Sequence, residues 1–301
     1  MNSTRYVSTV VALLFLGLAT SDVFSQAPGV EIVRDRGEQF DLLVDKANQL
    51  REAGELLSME EITRQLSRSS CELALPAPFT NKLDDRAIWK RAHDAHVRVG
   101  WHYLCQKCDN WHQNLAGGYF ITADGAVATC HHVADPGEDD YREGYLVAAK
   151  EDGTLLPVIE VLAANEQTDT CILRVRLDHP VNPLPLNTQV YPGDPAWCYS
   201  DPLGRSSYFS KGMVNRFFEL RRRGKGTARI DVSTDWAPGS SGAAVVDECG
   251  NAIGHVSEIS TPGGRSRGGT NRTSSSSSPI TFHYASRAAD VLSLVNMRPN
   301  R

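Results

Sequence analysis

From residue 96 onward, glycine and proline divide the sequence into short runs of β-forming residues. Val97, Val99, Trp101 and Tyr103 occupy alternate positions, which is the period of a half-buried strand. Eleven further β-like runs follow, over residues 118–122, 126–130, 145–149, 157–163, 171–176, 196–200, 212–219, 227–233, 243–247, 252–260 and 280–284. Because no helical pattern interrupts these runs, we expect a mainly β barrel or sandwich.

The first residues have the pattern of a secretory signal peptide. A short apolar run covers residues 9–19, and the small residues Ser21, Ser25 and Ala27 follow it. The run is too short and too poorly flanked to form a comfortable transmembrane helix, although an uncleaved anchor is the alternative. We therefore predict a signal peptide over residues 1–27 and a secreted or periplasmic mature chain, in a compartment where disulfides persist.

A helical appendage is predicted over residues 28–78. Apolar residues recur at helical spacing between residues 37 and 57, and Ser58 with Glu61 forms a capping box that starts a second helix. The prolines at 76 and 78 end this part. We interpret the appendage as a packing or docking arm, through which a homo-oligomer could form.

Two further helices and one loop are predicted by composition and spacing. The helices cover residues 85–95 and 286–295, and the second is the last element predicted. Residues 261–278 are rich in Gly, Arg and Ser, so we expect a mobile loop.

Overall composition excludes several classes of protein. The chain has 301 residues and a net charge of −5, which argues against general binding of nucleic acid. Beyond the N-terminus no apolar stretch reaches about 20 residues, so no stable membrane span is expected after signal cleavage.

Three segments carry the residue types that acyl transfer requires. The first runs from Ala116 to Val133 and ends in a histidine pair, the second places Asp169 before an apolar strand, and the third is a glycine-flanked serine turn over residues 235–246. A serine hydroxyl needs an imidazole to take its proton, and the imidazole needs a carboxylate to orient it. Glycines beside the serine allow backbone N–H groups to converge on a developing oxyanion.

These segments resemble the trypsin-like serine peptidases of the chymotrypsin fold, and most closely the protease domain of the HtrA/Deg group. The order His, Asp, Ser is that of this fold. Two other pieces agree with the group. The first consists of Gly193-Asp194, Asp201-Pro202-Leu203-Gly204 and Gly212-Met213-Val214. The second follows the serine and is Gly250-Asn251-Ala252-Ile253-Gly254. The resemblance covers residues 96–296 and implies a double six-stranded antiparallel β-barrel, here within a protease domain over 79–301.

The resemblance also implies the roles of individual residues. His132 matches the general base, because Val133 follows it and Thr129 stands three residues before it. Asp169 matches the orienting acid and Ser241 the nucleophile. The backbone N–H groups of Gly239 and Ser241 would form the oxyanion hole.

Substrate-binding residues are expected in two places. The strand that contains His255, Val256 and Ser257 would pair with the substrate backbone, as an added strand does. Asp235 lies six residues before Ser241, where trypsin has its specificity aspartate. We favour the alternative that Thr234-Asp235 is the pair found in HtrA-type enzymes, which do not prefer basic residues.

The sequence departs from the HtrA pattern, and these departures limit which properties of the group can be expected here. Only 60 residues follow Ser241, which leaves no room for the PDZ domain that usually comes after the protease. Trp236 and Ala243 are unusual for the group and put the specificity pocket in doubt.

The seven cysteines leave at least one thiol outside any intramolecular disulfide. Cys105 and Cys108 are flanked by His102 and His112, and this set could hold a structural zinc or form a local disulfide. Cys130 and Cys171 are predicted to be buried thiols that point into the barrel core and approach one another.

The sequence therefore predicts an exported serine endopeptidase that acts on proteins or peptides through a covalent acyl-enzyme and uses no cofactor. The alternative is a catalytically silent trypsin-like module that binds peptides.

Overall fold

The computed structural model describes residues 33, 35, 38–137, 141–222, 224–261 and 280–297. The predicted signal peptide, and the predicted loop beyond Thr261, lie outside the described residues. Within the described part of the chain, no helix is both long and apolar enough to cross a membrane.

Six antiparallel strands close into a first barrel. The strands are β2 (His96–Cys105), β3 (Trp111–Phe120), β4 (Ala126–Thr129), β5 (Tyr141–Ala149), β6 (Leu155–Asn165) and β7 (Thr170–Val175). Their order around the barrel is β2-β3-β4-β7-β6-β5, and β2 pairs with β5 to close it. Inward-facing residues such as Val97, Val99 and Trp101 fill its core, as the alternation along β2 predicts.

A second barrel follows, also of six antiparallel strands. These are β8 (Pro195–Ser200), β9 (Tyr208–Arg222), β10 (Lys225–Val232), β11 (Ala244–Val246), β12 (Ala252–Ser260) and β13 (Phe282–Arg287). Their order is β10-β13-β12-β11-β8-β9. The prediction of a mainly β fold with two six-stranded barrels is confirmed.

A cluster of buried side chains joins residues of the two barrels. Tyr119 and Ile121 at the end of β3 lie in the same cluster as Trp197, Tyr199 and Ala244 of the second barrel. The Cβ of a residue at Gly117 would lie 2.7 Å from the backbone nitrogen of Ala243, so only glycine allows the strands to approach this closely. The barrels therefore meet beside the serine turn.

Helices α1 (Glu38–Glu52) and α2 (Met59–Gln65) pack on the first barrel. Ser58 caps α2 as predicted, since its hydroxyl accepts from the Glu61 amide at 3.3 Å. The Glu61 carboxylate pairs with Arg64 instead of returning to Ser58, so only half of the capping box forms. Apolar residues of both helices, Leu43 and Ile62, are buried.

Helix α3 (Asp85–Ala95) covers the predicted residues. The carboxylate of Asp84 accepts from the Ala87 amide at 2.8 Å and caps the helix. Its apolar face buries Ile88, Ala92 and Ala95.

The C-terminal prediction was wrong in extent. Helix α5 contains only Ala288–Leu292, because Ser286 and Arg287 belong to β13 and the Asp290 carboxylate accepts from the Arg287 amide at 2.9 Å. Strand β14 (Val295–Met297) then pairs in parallel with β1 (Cys71–Leu73), a strand that the helical interpretation of residues 28–78 did not include. Backbone pairing between two distant segments thus replaces the last helical turn.

Candidate active site

His132 and Asp169 are brought together by the pairing of β4 with β7. Thr129 lies opposite Cys171 in this pairing, so the residues just after β4 and just before β7 meet at one end of the barrel. A short helix α4 (His131–Ala134) follows β4 and presents His132. Its Nδ1 atom lies 2.9 and 3.0 Å from the two Asp169 carboxylate oxygens. Since a carboxylate only accepts, Nδ1 carries the proton and Nε2 is left as the base.

The neighbouring histidine is placed differently. His131 has only 12% of its side chain exposed, and its Nδ1 lies 4.0 Å from Asp135. The structure therefore brings His132, and not His131, to Asp169, in agreement with the motif assignment.

Asp169 is held by three residues that belong to two elements, α4 and β12. Its carboxylate accepts from the His132 backbone N–H at 3.1 Å and from the Ser257 hydroxyl at 2.6 Å. Its backbone carbonyl lies 3.0 Å from Nε2 of His255. The residue has φ of 52°, a left-handed conformation that aspartate tolerates better than most residues. Its orientation is thus determined by contacts with β12 as well as with α4.

The charges of this pair are coupled. Burial by itself raises the pKa of Asp169, but hydrogen bonds and the charge of His132 outweigh it and hold the pKa well below its usual value. Burial lowers the pKa of His132, and the hydrogen bond and charge of Asp169 outweigh this effect, so the pKa lies above its usual value. Asp169 is therefore ionised and stabilises a protonated His132.

The two serines of the turn, Ser240 and Ser241, have different surroundings. Ser240 is buried, and its hydroxyl accepts from the Ser200 hydroxyl at 3.0 Å and from the Ala237 amide at 3.4 Å. Ser241 is half-buried, and its hydroxyl makes no hydrogen bond to the residues described. Ser240 therefore holds the turn together, whereas Ser241 presents an uncommitted hydroxyl.

The backbone of Ser241 lies between both barrels. Its carbonyl accepts from the Gly117 amide at 2.7 Å, and the following Gly242 amide donates to the Val256 carbonyl at 2.7 Å. Gly242 has φ of 83°, and a Cβ there would lie 2.2 Å from the Gly117 carbonyl oxygen. Only glycine fits after the serine, which is a physical reason for the Ser-Gly pair.

Two backbone N–H groups of the turn lack an acceptor. The amides of Gly239 and Ser241 make no hydrogen bond within the described chain, unlike that of Ser240, which donates to the Ala237 carbonyl. The Pro238 carbonyl accepts from the Leu203 amide at 2.8 Å. In a trans peptide C=O and N–H point in opposite directions, so the Gly239 N–H points away from Leu203. The turn has two donors free for an oxyanion.

A buried charged cluster, which the motifs did not predict, holds the segment of residues 201–207 that contains Leu203. Asp201 is buried, and its carboxylate accepts from Arg98 Nε at 2.6 Å and from the Ser207 amide at 3.0 Å. His96 Nε2 lies 3.3 Å from the same carboxylate. The position of Arg98 between two buried valines of β2 is the sequence signal that could have indicated this pairing, which spans 103 residues.

The predicted substrate residues are distributed differently from expectation. His255 and Val256 are buried, and the Val256 amide and carbonyl are paired with Ala243 and Gly242. These two residues therefore support the site and offer no surface to a substrate, because their backbone and side chains are already in use. Ser257 contacts Asp169, a contact that the motif comparison did not predict.

Asp235 is exposed, and its backbone amide and carbonyl are both bonded to the Ser210 hydroxyl, at 3.1 and 3.0 Å. The next residue, Trp236, is buried, and its indole donates to the Glu258 carbonyl at 3.3 Å. The Trp236 indole also lies edge-on to His283, 5.0 Å between ring centres.

The cysteines near the pair are buried thiols, as predicted. Cys130 donates to the Val256 carbonyl at 3.0 Å, and burial raises its pKa well above the usual value. Its sulfur, His132 and Asp169 have ligand atoms within 4.8 Å of one another. Burial also raises the pKa of Cys171.

The comparison with protein families agrees with this geometry. Residues 116–254 match the family model of the trypsin-like peptidase domain, and this stretch contains His132, Asp169 and Ser241. None of the curated proteins matches the chain. The match and the two barrels together support a trypsin-like peptidase.

Proposed function

We propose that this protein is an exported serine endopeptidase in which Ser241 is the nucleophile, His132 the general base and Asp169 the orienting acid. The observation that carries the proposal is the combination of the His132–Asp169 hydrogen bond with a glycine turn that leaves the Ser241 hydroxyl and two amides uncommitted.

The residues present would act in the following order. Ser241 Oγ attacks the substrate carbonyl while His132 Nε2 takes its proton. Asp169 stabilises the resulting imidazolium, and the Gly239 and Ser241 amides bind the oxyanion. His132 then gives the proton to the leaving amine, and water releases the acyl group by the same route.

Labelling and cleavage test this proposal directly. The mature chain, its Ser241→Ala variant and a Ser67→Ala control are treated with a fluorophosphonate and with casein. Ser67 is exposed and distant in sequence from the site, with its hydroxyl on the Arg64 carbonyl. Labelling and cleavage should be lost only in Ser241→Ala. Equal cleavage by all three proteins would exclude Ser241 as the nucleophile.

A silent peptide-binding module is the second candidate, because the hydrogen bonds of His132 within the described residues go to Asp169 and none goes to the Ser241 hydroxyl. Peptide binding without labelling of Ser241 would favour this function.

Export is tested separately, by sequencing the N-terminus of the chain recovered outside the cytoplasm of its host. We expect cleavage near Ser25 or Ala27, and an intact N-terminus would contradict it.

A further inference from the structure

The hairpin between β2 and β3 gathers three metal-binding side chains at its tip. Cys105 is the last residue of β2, Cys108 lies in the turn, and His112 is the second residue of β3. Their ligand atoms all lie within 4.8 Å of one another, and Cys108 Sγ is 3.0 Å from His112 Nε2. Zn–S and Zn–N bonds of about 2.3 and 2.1 Å in a tetrahedron require separations of about 3.5 to 4 Å, so small adjustments suffice.

Backbone hydrogen bonds hold the turn that carries the two cysteines. The Lys107 amide donates to Cys105 Sγ at 3.4 Å. The Cys105 amide donates to the Asn110 carbonyl at 3.0 Å, which closes the turn. Asp109 has φ of 54°, and this left-handed residue directs the chain back after Cys108.

His102 does not belong to this group, which changes the four-residue set suggested by sequence. Its ring is fully buried, and Nε2 lies 3.1 Å from the Asn48 side-chain oxygen. The ring also stacks on Trp111, with 4.6 Å between ring centres. His102 therefore joins the first barrel to α1 and is not available as a ligand.

We propose that Cys105, Cys108 and His112 bind one Zn²⁺ ion, with solvent in the fourth position. Two thiolates and one imidazole form a donor set that binds zinc in preference to calcium or magnesium, which take oxygen ligands. The proposed ion lies far from the serine turn. His112 is five residues, or about 17 Å along β3, from Gly117, whose amide donates to the Ser241 carbonyl. The ion would therefore stabilise the hairpin tip, and the proposal is independent of peptidase activity.

Metal content and cobalt spectra test the site. The reduced full chain is loaded with Zn²⁺ and exchanged into metal-free buffer. Its zinc content is then measured by inductively coupled plasma mass spectrometry. We expect one Zn²⁺ per chain, and Co²⁺ loading should give the absorption of a tetrahedral thiolate complex. Cys108→Ser and His112→Ala should each lower Zn²⁺ affinity at least tenfold, whereas Cys249→Ser, a half-buried thiol elsewhere, should not.

The stability of the folded chain provides a readout besides metal content. Chelation should lower the melting temperature of the unmodified chain and leave that of Cys108→Ser unchanged. Absence of Zn²⁺ above background after loading would overturn the proposal. Retention of Zn²⁺ by Cys108→Ser and His112→Ala at the level of the unmodified chain would also overturn it. A Cys105–Cys108 disulfide in the isolated protein that persists with no metal bound would also overturn it.

Discussion

The amide nitrogen of Leu203 lies 2.8 Å from the carbonyl oxygen of Pro238 and donates a hydrogen bond to it. This bond holds the Pro238–Gly239 peptide with its N–H directed away from Leu203. Leu203 has φ of 52° and an exposed side chain, so it is retained in a costly conformation that its side-chain packing does not explain. We infer that the position of its amide is what the Asp201–Ser207 segment provides to the site.

Substitution of Gly239 by alanine should test this arrangement. Gly239 has φ of 101°, and a Cβ there would lie 3.0 Å from the Asp201 carbonyl oxygen. The peptide must shift, and loss of one oxyanion donor typically lowers kcat by about 100- to 1,000-fold. Gly193→Ala is the matched control, because φ is 97° and nothing lies within 4 Å of the added methyl. It should lose stability and keep kcat, and similar kcat in both variants would contradict the assignment.

Removal of the Asp201 carboxylate should destabilise the folded chain strongly. Asp201→Ala leaves Arg98, whose side chain is 16% exposed, without its charged partner, and breaking a buried pair costs about 3–5 kcal/mol. Urea unfolding measures this loss. The exposed pair of Asp85 with Lys211 is the control, and Asp85→Ala should cost at most about 1 kcal/mol. Equal costs would show that the Asp201 cluster contributes no more than a surface ion pair.

The pH dependence of kcat/KM should follow His132. Its pKa is raised by Asp169, and the imidazole must be neutral to accept the proton of Ser241. Activity should therefore be complete at high pH and fall about tenfold per pH unit below a midpoint that lies above the ordinary histidine value of about 6.5. The rate of fluorophosphonate labelling should show the same midpoint. A midpoint below pH 6 in both measurements would exclude this coupling.

Ser257→Ala should move that midpoint. The hydroxyl of Ser257 stabilises the charged Asp169, and without it the carboxylate interacts more strongly with His132. We expect the midpoint to rise and kcat/KM at neutral pH to fall by about tenfold.

Ser286→Ala is a suitable comparison for Ser257→Ala. The Ser286 hydroxyl donates to the Thr168 carbonyl at 2.8 Å, next to Asp169 but not on its carboxylate. This variant should lower the melting temperature and leave the pH midpoint in place. An unchanged midpoint in Ser257→Ala would limit Ser257 to a structural role.

Local patterns were sufficient to predict the strands, and the resemblance to trypsin-like peptidases implied the identities of the three candidate catalytic residues. Alternation of apolar residues reports which face of a strand is buried, as along β2, and this pattern needs no knowledge of distant residues. The Ser-Gly pair was predicted by resemblance, and the structure gives its reason in the contact of Gly242 with Gly117.

Some features were missed because no local pattern encodes them. The predicted helix ended at Val295, and the pairing of residues 295–297 with β1 makes that residue the start of a strand instead. His102 has suitable metal-ligand spacing in the sequence, yet its contact with Asn48 removes it from the cysteine cluster.

The sequence by itself determined a mainly β fold and the residue types of the candidate site, and its resemblance to the trypsin-like peptidases implied the two barrels. Only the tertiary structure decided that His255 and Ser257 support Asp169, and that Asp201 is bound by Arg98. These contacts join residues 86 to 103 positions apart. The register of strand pairing and the approach of two barrels set such contacts, and a shift of one residue would turn each side chain to the opposite face.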